Sequence, residues 1–327
     1  MNKVKKLGKK TILIGGIVLA VLACAALVIG LAAARKSKQV SLADAGLAEK
    51  TDIELTAYHG FSAVAPENSL PAFAAAAENG FSAVQFDVRR TVDGVWVVMH
   101  DETVKRMTDG RGSVEKMTFK QLVQCRINKG NGRKEYKGRS LTVPTLSQAL
   151  SACAGRMIPA IEIQQSGTDC LESLLNEIGY ATRRECRILS ADREQLLKIK
   201  ELTDSGSVAL KSTQVQLEWV TDKLNKKTLE LARQTPDIGV SFNAEKSGDA
   251  DEIKSFTDAG ISLSAWAVDK PERMKELYDA GVRRFATSRI TNQPTETTET
   301  ETVTAKQTKP ITTPKTTKTT AKAKGDA

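Results

Sequence analysis

The sequence predicts a (β/α)8 TIM barrel of the α/β class, preceded by one transmembrane helix and followed by a disordered tail. Three observations carry this. Short β-rich runs alternate with helical stretches across residues 51–290, residues 11–34 are apolar and uncharged, and the chain from residue 291 is rich in Thr, Lys and Pro. Eight strands separated by helices over about 240 residues match the usual barrel size of about 250. An open doubly wound sheet is the structural alternative, but it usually carries a Gly-rich phosphate loop after its first strand. The sequence has none there.

Residues 1–10 form a basic segment expected on the cytoplasmic side. Residues 11–34 (TILIGGIVLAVLACAALVIGLAAA) are long enough, at about 1.5 Å per residue, to cross a hydrocarbon core of about 30 Å. A cleaved signal peptide is the alternative, although its apolar region usually spans only about 7–15 residues. Five lysines precede the span and three basic residues follow it, which favours an internal N-terminus and an extracytoplasmic barrel. The expected location is therefore the cell membrane. Residues 35–50 read as a linker.

The net charge of +9 is unevenly placed. The first 40 residues hold eight Lys/Arg and no acid, residues 291–327 hold six Lys against four acids, and the middle is left at −1. A nucleic-acid footprint is thereby unsupported, and anionic lipid headgroups are the more natural partner of the N-terminal lysines. The tail buries too little apolar surface to offset chain entropy and should be disordered.

Within residues 51–290 the expected barrel strands are Leu55–Tyr58, Ala83–Arg90, Ile158–Gln164, Cys186–Ser190, Val208–Lys211, Ile238–Phe242, Leu263–Val268 and Arg284–Thr287. Helical patterns cover Ser69–Asn79, Asp169–Ile178, Asp192–Leu202, Lys227–Arg233, Asp249–Ala259 and Pro271–Ala280. Gly80, Gly260 and Gly281 follow three of them as C-terminal caps. Val95–Met99 follows Ala83–Arg90 across the Val92-Asp93-Gly94 turn, which predicts a hairpin extension rather than a βα unit. Residues 102–144 then intervene as an insertion, with Lys129–Arg139 read as a solvated loop. Cys125, Cys153, Cys170 and Cys186 fit no metal or redox spacing; Cys153, Cys170 and Cys186, in or next to apolar segments, are expected as buried thiols, with one bridge left open.

Residues at i and i+2 share one face of a strand, so Gln85 pairs with Asp87 and Glu162 with Gln164. At the barrel mouth these pairs would meet Tyr58 or His59 and His100. The surrounding pattern is Pro66-Glu67-Asn68, Asp93-Gly94, His100-Asp101, Glu102-Thr103 and Arg106. It resembles the signature of the glycerophosphodiester phosphodiesterase family, over about Leu55 to Ile290.

The resemblance implies a metal site at Asp87 and Glu162 with Gln85, suited to a hard cation such as Mg2+ or Ca2+. It also implies His100 as a catalytic residue and Glu67 and Trp266 as pocket residues. Four positions depart from the family pattern. Tyr58 stands where the family has its first histidine, His59 where it has Arg, Gln85 where it has Glu, and Gln164 where it has Lys. His59 is then the second catalytic candidate, while Tyr58 and Gln164 join the substrate-binding set. A Tyr is ordinarily a poor general base at neutral pH. Adjacent strand residues point oppositely, so His59 needs a local kink to serve. Two functions remain open: metal-assisted hydrolysis of glycerophosphodiesters or related envelope polymers, and a non-catalytic, membrane-anchored module that binds phosphodiester or lipid headgroups.

Overall fold

The computed structural model describes residues 40–136, 140–182 and 185–292. The expected membrane span at residues 11–34 and nearly all of the expected tail lie outside them. Among the described residues no helix is long and apolar enough to cross a membrane.

Eight parallel strands close a ring: β2 (Glu54–Ala57), β3 (Ala83–Arg90), β5 (Ile158–Ile163), β6 (Cys186–Ser190), β7 (Val215–Thr221), β8 (Ile238–Asn243), β9 (Leu263–Trp266) and β10 (Arg284–Thr287). The pairing of β2 with both β10 and β3 closes it. β4 (Trp96–Val98) hangs antiparallel on β3, as the turn at Asp93-Gly94 predicts. Helices Leu70–Glu78, Leu146–Cys153, Leu171–Ala181, Arg193–Asp204, Lys226–Arg233, Ala250–Asp258 and Pro271–Asp279 fill the outer layer.

Strand periodicity explains where the core lies. On β3, Val84, Phe86 and Val88 belong to the apolar layer between strands and helices, and Gln85 and Asp87, on the opposite face, point into the barrel. The barrel interior is polar at its N-terminal end as well. Buried Arg187 pairs with Glu54, while Glu218 accepts from Arg284 at 2.7 Å and from Ser264 at 2.6 Å.

That polar interior accounts for one corrected element. The expected strand Val208–Lys211 is not a strand, and β7 instead spans Val215–Thr221. The Val-Gln-Leu-Glu-Trp-Val-Thr run hides its strand character because Glu218 faces inward to serve Arg284 and Ser264. Val208 and Leu210 are buried as loop residues, and the Ala209–Leu210 backbone packs against Gly179. The helix Leu146–Cys153 was also absent from the expected set. It opens with a Thr145–Gln148 capping box, the signal that marks its start.

The boundaries shift too. β1 (Val40–Ser41) pairs in parallel with β11 (Ile290–Thr291), and Leu42, Ala45 and Leu47 are buried. Residues 40–50 are therefore packed chain, where a linker was expected. Likewise Ile290–Thr291 is strand, so any tail starts beyond Asn292.

The insertion shares a small core with the β4 hairpin, built of Val97, Met99, Val104, Val114, Leu122, Cys125 and Val143. The part expected as a solvated loop, of which residues 137–139 lie outside those described, does expose Lys129, Gly130, Asn131, Lys134 and Glu135, and it also folds back onto the barrel mouth. Gly130 lies against Pro66 and Gly132 against the Val64 carbonyl, and Asn131 donates to the Ser62 carbonyl at 2.9 Å. Cys125, Cys153, Cys170 and Cys186 are free, with Cys170 only half-buried where burial was expected; burial pushes the Cys153 and Cys186 thiols up to about 12.

Candidate active site at the barrel mouth

β2 ends at Ala57, and the next residues turn sharply. His59 has φ 55°, a left-handed conformation rare for a side chain with a Cβ. This is the kink that the alternation of strand residues demanded. It carries the His59 ring to 5.4 Å from the His100 ring and puts His59 Nε2 3.1 Å from Asp87 Oδ2. The two atoms are close without a directional hydrogen bond, the buried Nε2 having no aligned partner among the described residues.

Two neighbours hold the turn. Asn68, itself at φ 53°, donates its backbone N–H to the His59 carbonyl at 2.9 Å. Gly60, at φ 78°, leaves room for the following helix, where an added Cβ would sit 2.7 Å from Ala72 Cβ. Gly60→Ala is therefore expected to cost more than the bare left-handed penalty of about 1–2 kcal/mol. Urea unfolding checks this, and an unchanged midpoint would contradict the turn's role.

Asp87, fully buried at the end of β3, is the hub. Its Oδ2 accepts from Asn68 Nδ2 at 2.6 Å and its Oδ1 from Gln164 Nε2 at 2.8 Å. Gln164 also donates to Glu162 at 2.9 Å, and Gln85 donates to the other Glu162 oxygen at 2.5 Å. Two carboxylates are thus held together by three side-chain amides. Burial and the nearby Asp87 charge push the Glu162 carboxyl up to about 8.

Its sign gives a pH prediction. With the ordinary carboxyl value at 4.5 and the folded value near 8, the folded state keeps a proton that the unfolded chain releases. Glu162's contribution is thus fully present below pH 4.5 and is lost as pH rises through about 8. Melting of chelated protein should show a falling midpoint across that window, flattened in Glu162→Gln.

His100 lies just beyond β4. Its Nδ1 meets Asp101 Oδ1 at 2.9 Å, which fixes the imidazole's orientation. Arg106 grips Asp101 at 2.6 and 2.8 Å and Glu67 at 3.0 and 2.5 Å. The Arg106 guanidinium, and to a lesser degree His100, hold the Asp101 carboxyl below the usual range.

Tyr58 stacks on His59 with centroids 4.0 Å apart and lies 6.3 Å from the Trp266 ring. Burial, reinforced by Glu162 and Asp87, pushes its phenol well above the usual range, so it stays neutral and acts as a wall.

The structure thus gathers Tyr58, His59, Gln85, Asp87, His100, Glu162, Gln164 and Trp266 at one end of the barrel. Glu67 sits at the edge, engaged by Arg106. Sequence reasoning missed Asn68 as a partner of Asp87 and Asp101 as the partner of His100; both stand in quoted motifs, but spacing alone assigns them no contact. Among the described residues, donor atoms of His59, Asp87 and His100 lie within 4.8 Å of one another, a set able to hold a metal ion. A cavity of about 510 Å³ lined by Cys153, Met157 and Ile158 opens at the opposite end, which in barrels serves stability rather than chemistry.

Comparison with known proteins bears on the family and the fold. The model of the glycerophosphoryl diester phosphodiesterase family matches residues 59–292. The chain belongs to that family. A glycerophosphodiester phosphodiesterase of Caldanaerobacter subterraneus subsp. tengcongensis is 44% identical over 233 residues, covering 69% of this chain and 90% of the relative. Human glycerophosphodiester phosphodiesterase 1 is 40% identical over 102 residues, and the match spans only 30% of that protein's length. Among solved structures, an Oleispira antarctica phosphodiesterase in complex with sn-glycerol-3-phosphate superposes with a TM-score of 0.60 at 21% identity, covering 72% of this chain and 92% of that one. A Silicibacter pomeroyi protein described as a glycerophosphoryl diester phosphodiesterase gives 0.62 at 18%, covering 72% and 90%. At such identities the likeness is one of fold.

Proposed function

We propose that this family member hydrolyses glycerophosphodiesters with the help of a divalent metal, at the cluster of His59, Asp87 and His100. The carrying observation is the left-handed His59, whose ring comes to 5.4 Å from that of His100. Two imidazoles at one site can take a proton from an attacking hydroxyl and return one to the leaving oxygen. His100, oriented through Nδ1 by Asp101, has its other ring nitrogen for proton transfer. His59 occupies the space that the displaced tyrosine, held neutral, cannot serve chemically.

The residues present fit a metal. Asp87 is buried and Glu162 half-buried, close enough to repel, and Gln85 stands beside Glu162; these three would hold a hard cation such as Mg2+ or Ca2+. When bound, the ion would polarise the phosphoryl oxygens and neutralise charge developing on them. Tyr58 and Trp266 would exclude water from one side, and Gln164 would keep the two carboxylates aligned.

A second reading, a catalytically inactive module that binds phosphodiester or lipid headgroups, draws on the amides. Gln85, Asn68 and Gln164 already satisfy both carboxylates, as a cation otherwise would. In either reading residues 11–34 anchor the protein in the cell membrane with the barrel outside, and the chain acts at lipid headgroups or envelope polymers rather than nucleic acid.

The test uses the full-length chain with glycerophosphocholine, following glycerol 3-phosphate release with Mg2+, Ca2+ or excess chelator. Release that stops with chelation supports hydrolysis. Binding of the diester without release under any condition supports the second reading and overturns the first.

A further inference from the structure

A second cavity, of about 540 Å³, opens on the β9–β10 side of the mouth, lined by Ser62, Glu67, Asn131, Asp269, Ser288 and Arg289 among others. Its volume is within the range of about 300–1,000 Å³ usual for small-molecule sites. Among the described residues lining it, Ala63 is the one with an apolar side chain, and Ser62, Glu67, Asn131, Asp269, Ser288 and Arg289 supply polar groups.

Its walls run directly into the reacting cluster. Ser62 and Ala63 follow the His59 turn, and Ser62 donates to the Tyr58 carbonyl at 2.9 Å. Glu67 precedes Asn68, the residue that grips Asp87. On the far side the backbone is fixed. Asp269 accepts from Thr287 Oγ1 at 2.9 Å and from the Ser288 N–H at 2.7 Å, the Ala63 N–H donates to the Ser288 carbonyl at 3.2 Å, and the Arg289 N–H donates to Thr287 Oγ1 at 3.2 Å. The Arg289 guanidinium stands on this rigid base.

Its charge is free. Arg106 is taken up by Glu67 and Asp101, and Arg89 by Glu115 and the His100 carbonyl. Among the described residues no ion pair or side-chain hydrogen bond engages Arg289. An uncommitted guanidinium therefore faces a polar cavity at a mouth otherwise lined with carboxylates. Such a fork recognises a phosphate or carboxylate through paired hydrogen bonds, and the amide and hydroxyls around it suit a polyol.

We propose that this cavity receives the alcohol half of the diester, and that Arg289 makes it selective for hydroxyl-rich alcohols bearing a second negative charge. The assignment rests on the phosphodiesterase reading, so its test includes binding as well as turnover. With full-length protein, kcat/KM is compared for glycerophosphoinositol 4-phosphate, whose alcohol is anionic, and glycerophosphocholine, whose alcohol is cationic. Arg289→Ala is expected to lower the ratio of the two constants about ten- to a hundredfold, the range for a lost charge-assisted contact, and Arg289→Lys to restore part of it. Separately, calorimetry with inositol 4-phosphate should show binding weakened at least tenfold in Arg289→Ala. That loss of binding without turnover of any diester would keep the Arg289 subsite while rejecting hydrolysis. An unchanged ratio, or equal inositol 4-phosphate binding by the two proteins, overturns the proposal.

Discussion

Replacing His100 with Ala is expected to lower glycerophosphodiester turnover by about 10²–10⁴-fold, the usual range for losing a positioned proton carrier. The fold should survive, since the side chain is 44% exposed and, among the described residues, its hydrogen bond goes to Asp101 and its ring contact to the neighbouring His59. The loss should appear in kcat rather than KM, because the imidazole acts as the bond to phosphorus changes and not in holding the diester. Asp101→Asn provides the graded comparison. It leaves His100 in place but weakens its orientation and releases one arm of Arg106, so a smaller loss is expected. Equal losses in both variants would mean that Asp101 does more than orient the ring.

The second large effect is expected at Asp87. Asp87→Asn keeps the shape but removes the charge at the centre of the cluster, and it sets an amide N–H2 against the amide donors of Asn68 or Gln164. A buried donor left facing another donor costs about 1–3 kcal/mol. The variant should therefore melt lower in chelator and lose most of the wild type's stabilisation by added Mg2+ or Ca2+. Differential scanning calorimetry with and without the ion separates the two losses. A variant still stabilised by the ion like the wild type would exclude Asp87 as a ligand.

Much of the barrel was legible because its outer layer obeys simple periodicity. β3, β6 and β10 read as alternating or apolar runs, and the glycines at 80, 260 and 281 mark helix ends with φ of 74°, 74° and 115°. β7 was not legible, since its inward Glu218 serves a buried ion pair that no local pattern announces. The packed residues 40–50 were hidden for a similar reason: Leu42 and Leu47 are buried only because Val40–Ser41 finds a partner in Ile290–Thr291, far away in sequence.

The site divides the same way. Asp87, Glu162 and His100 could be placed from strand alternation and motif. The usefulness of His59 could not, because it depends on a left-handed backbone at a residue that is not glycine. That conformation is imposed by Asn68 and by the close approach of Gly60 to the following helix. Asp87's amide partners were equally invisible, being joined across 19 and 77 positions of sequence.

The central claim is that His59, turned inward, restores a second imidazole to a site whose expected first histidine is a tyrosine. It is tested most directly by single-turnover release of glycerol 3-phosphate from glycerophosphocholine, comparing wild type with His59→Ala at saturating Mg2+ or Ca2+. The predicted result is measurable release by the wild type and a loss of at least about 10²-fold in the variant, with metal binding retained. Equal rates in the two proteins, or no release by the wild type, would contradict it.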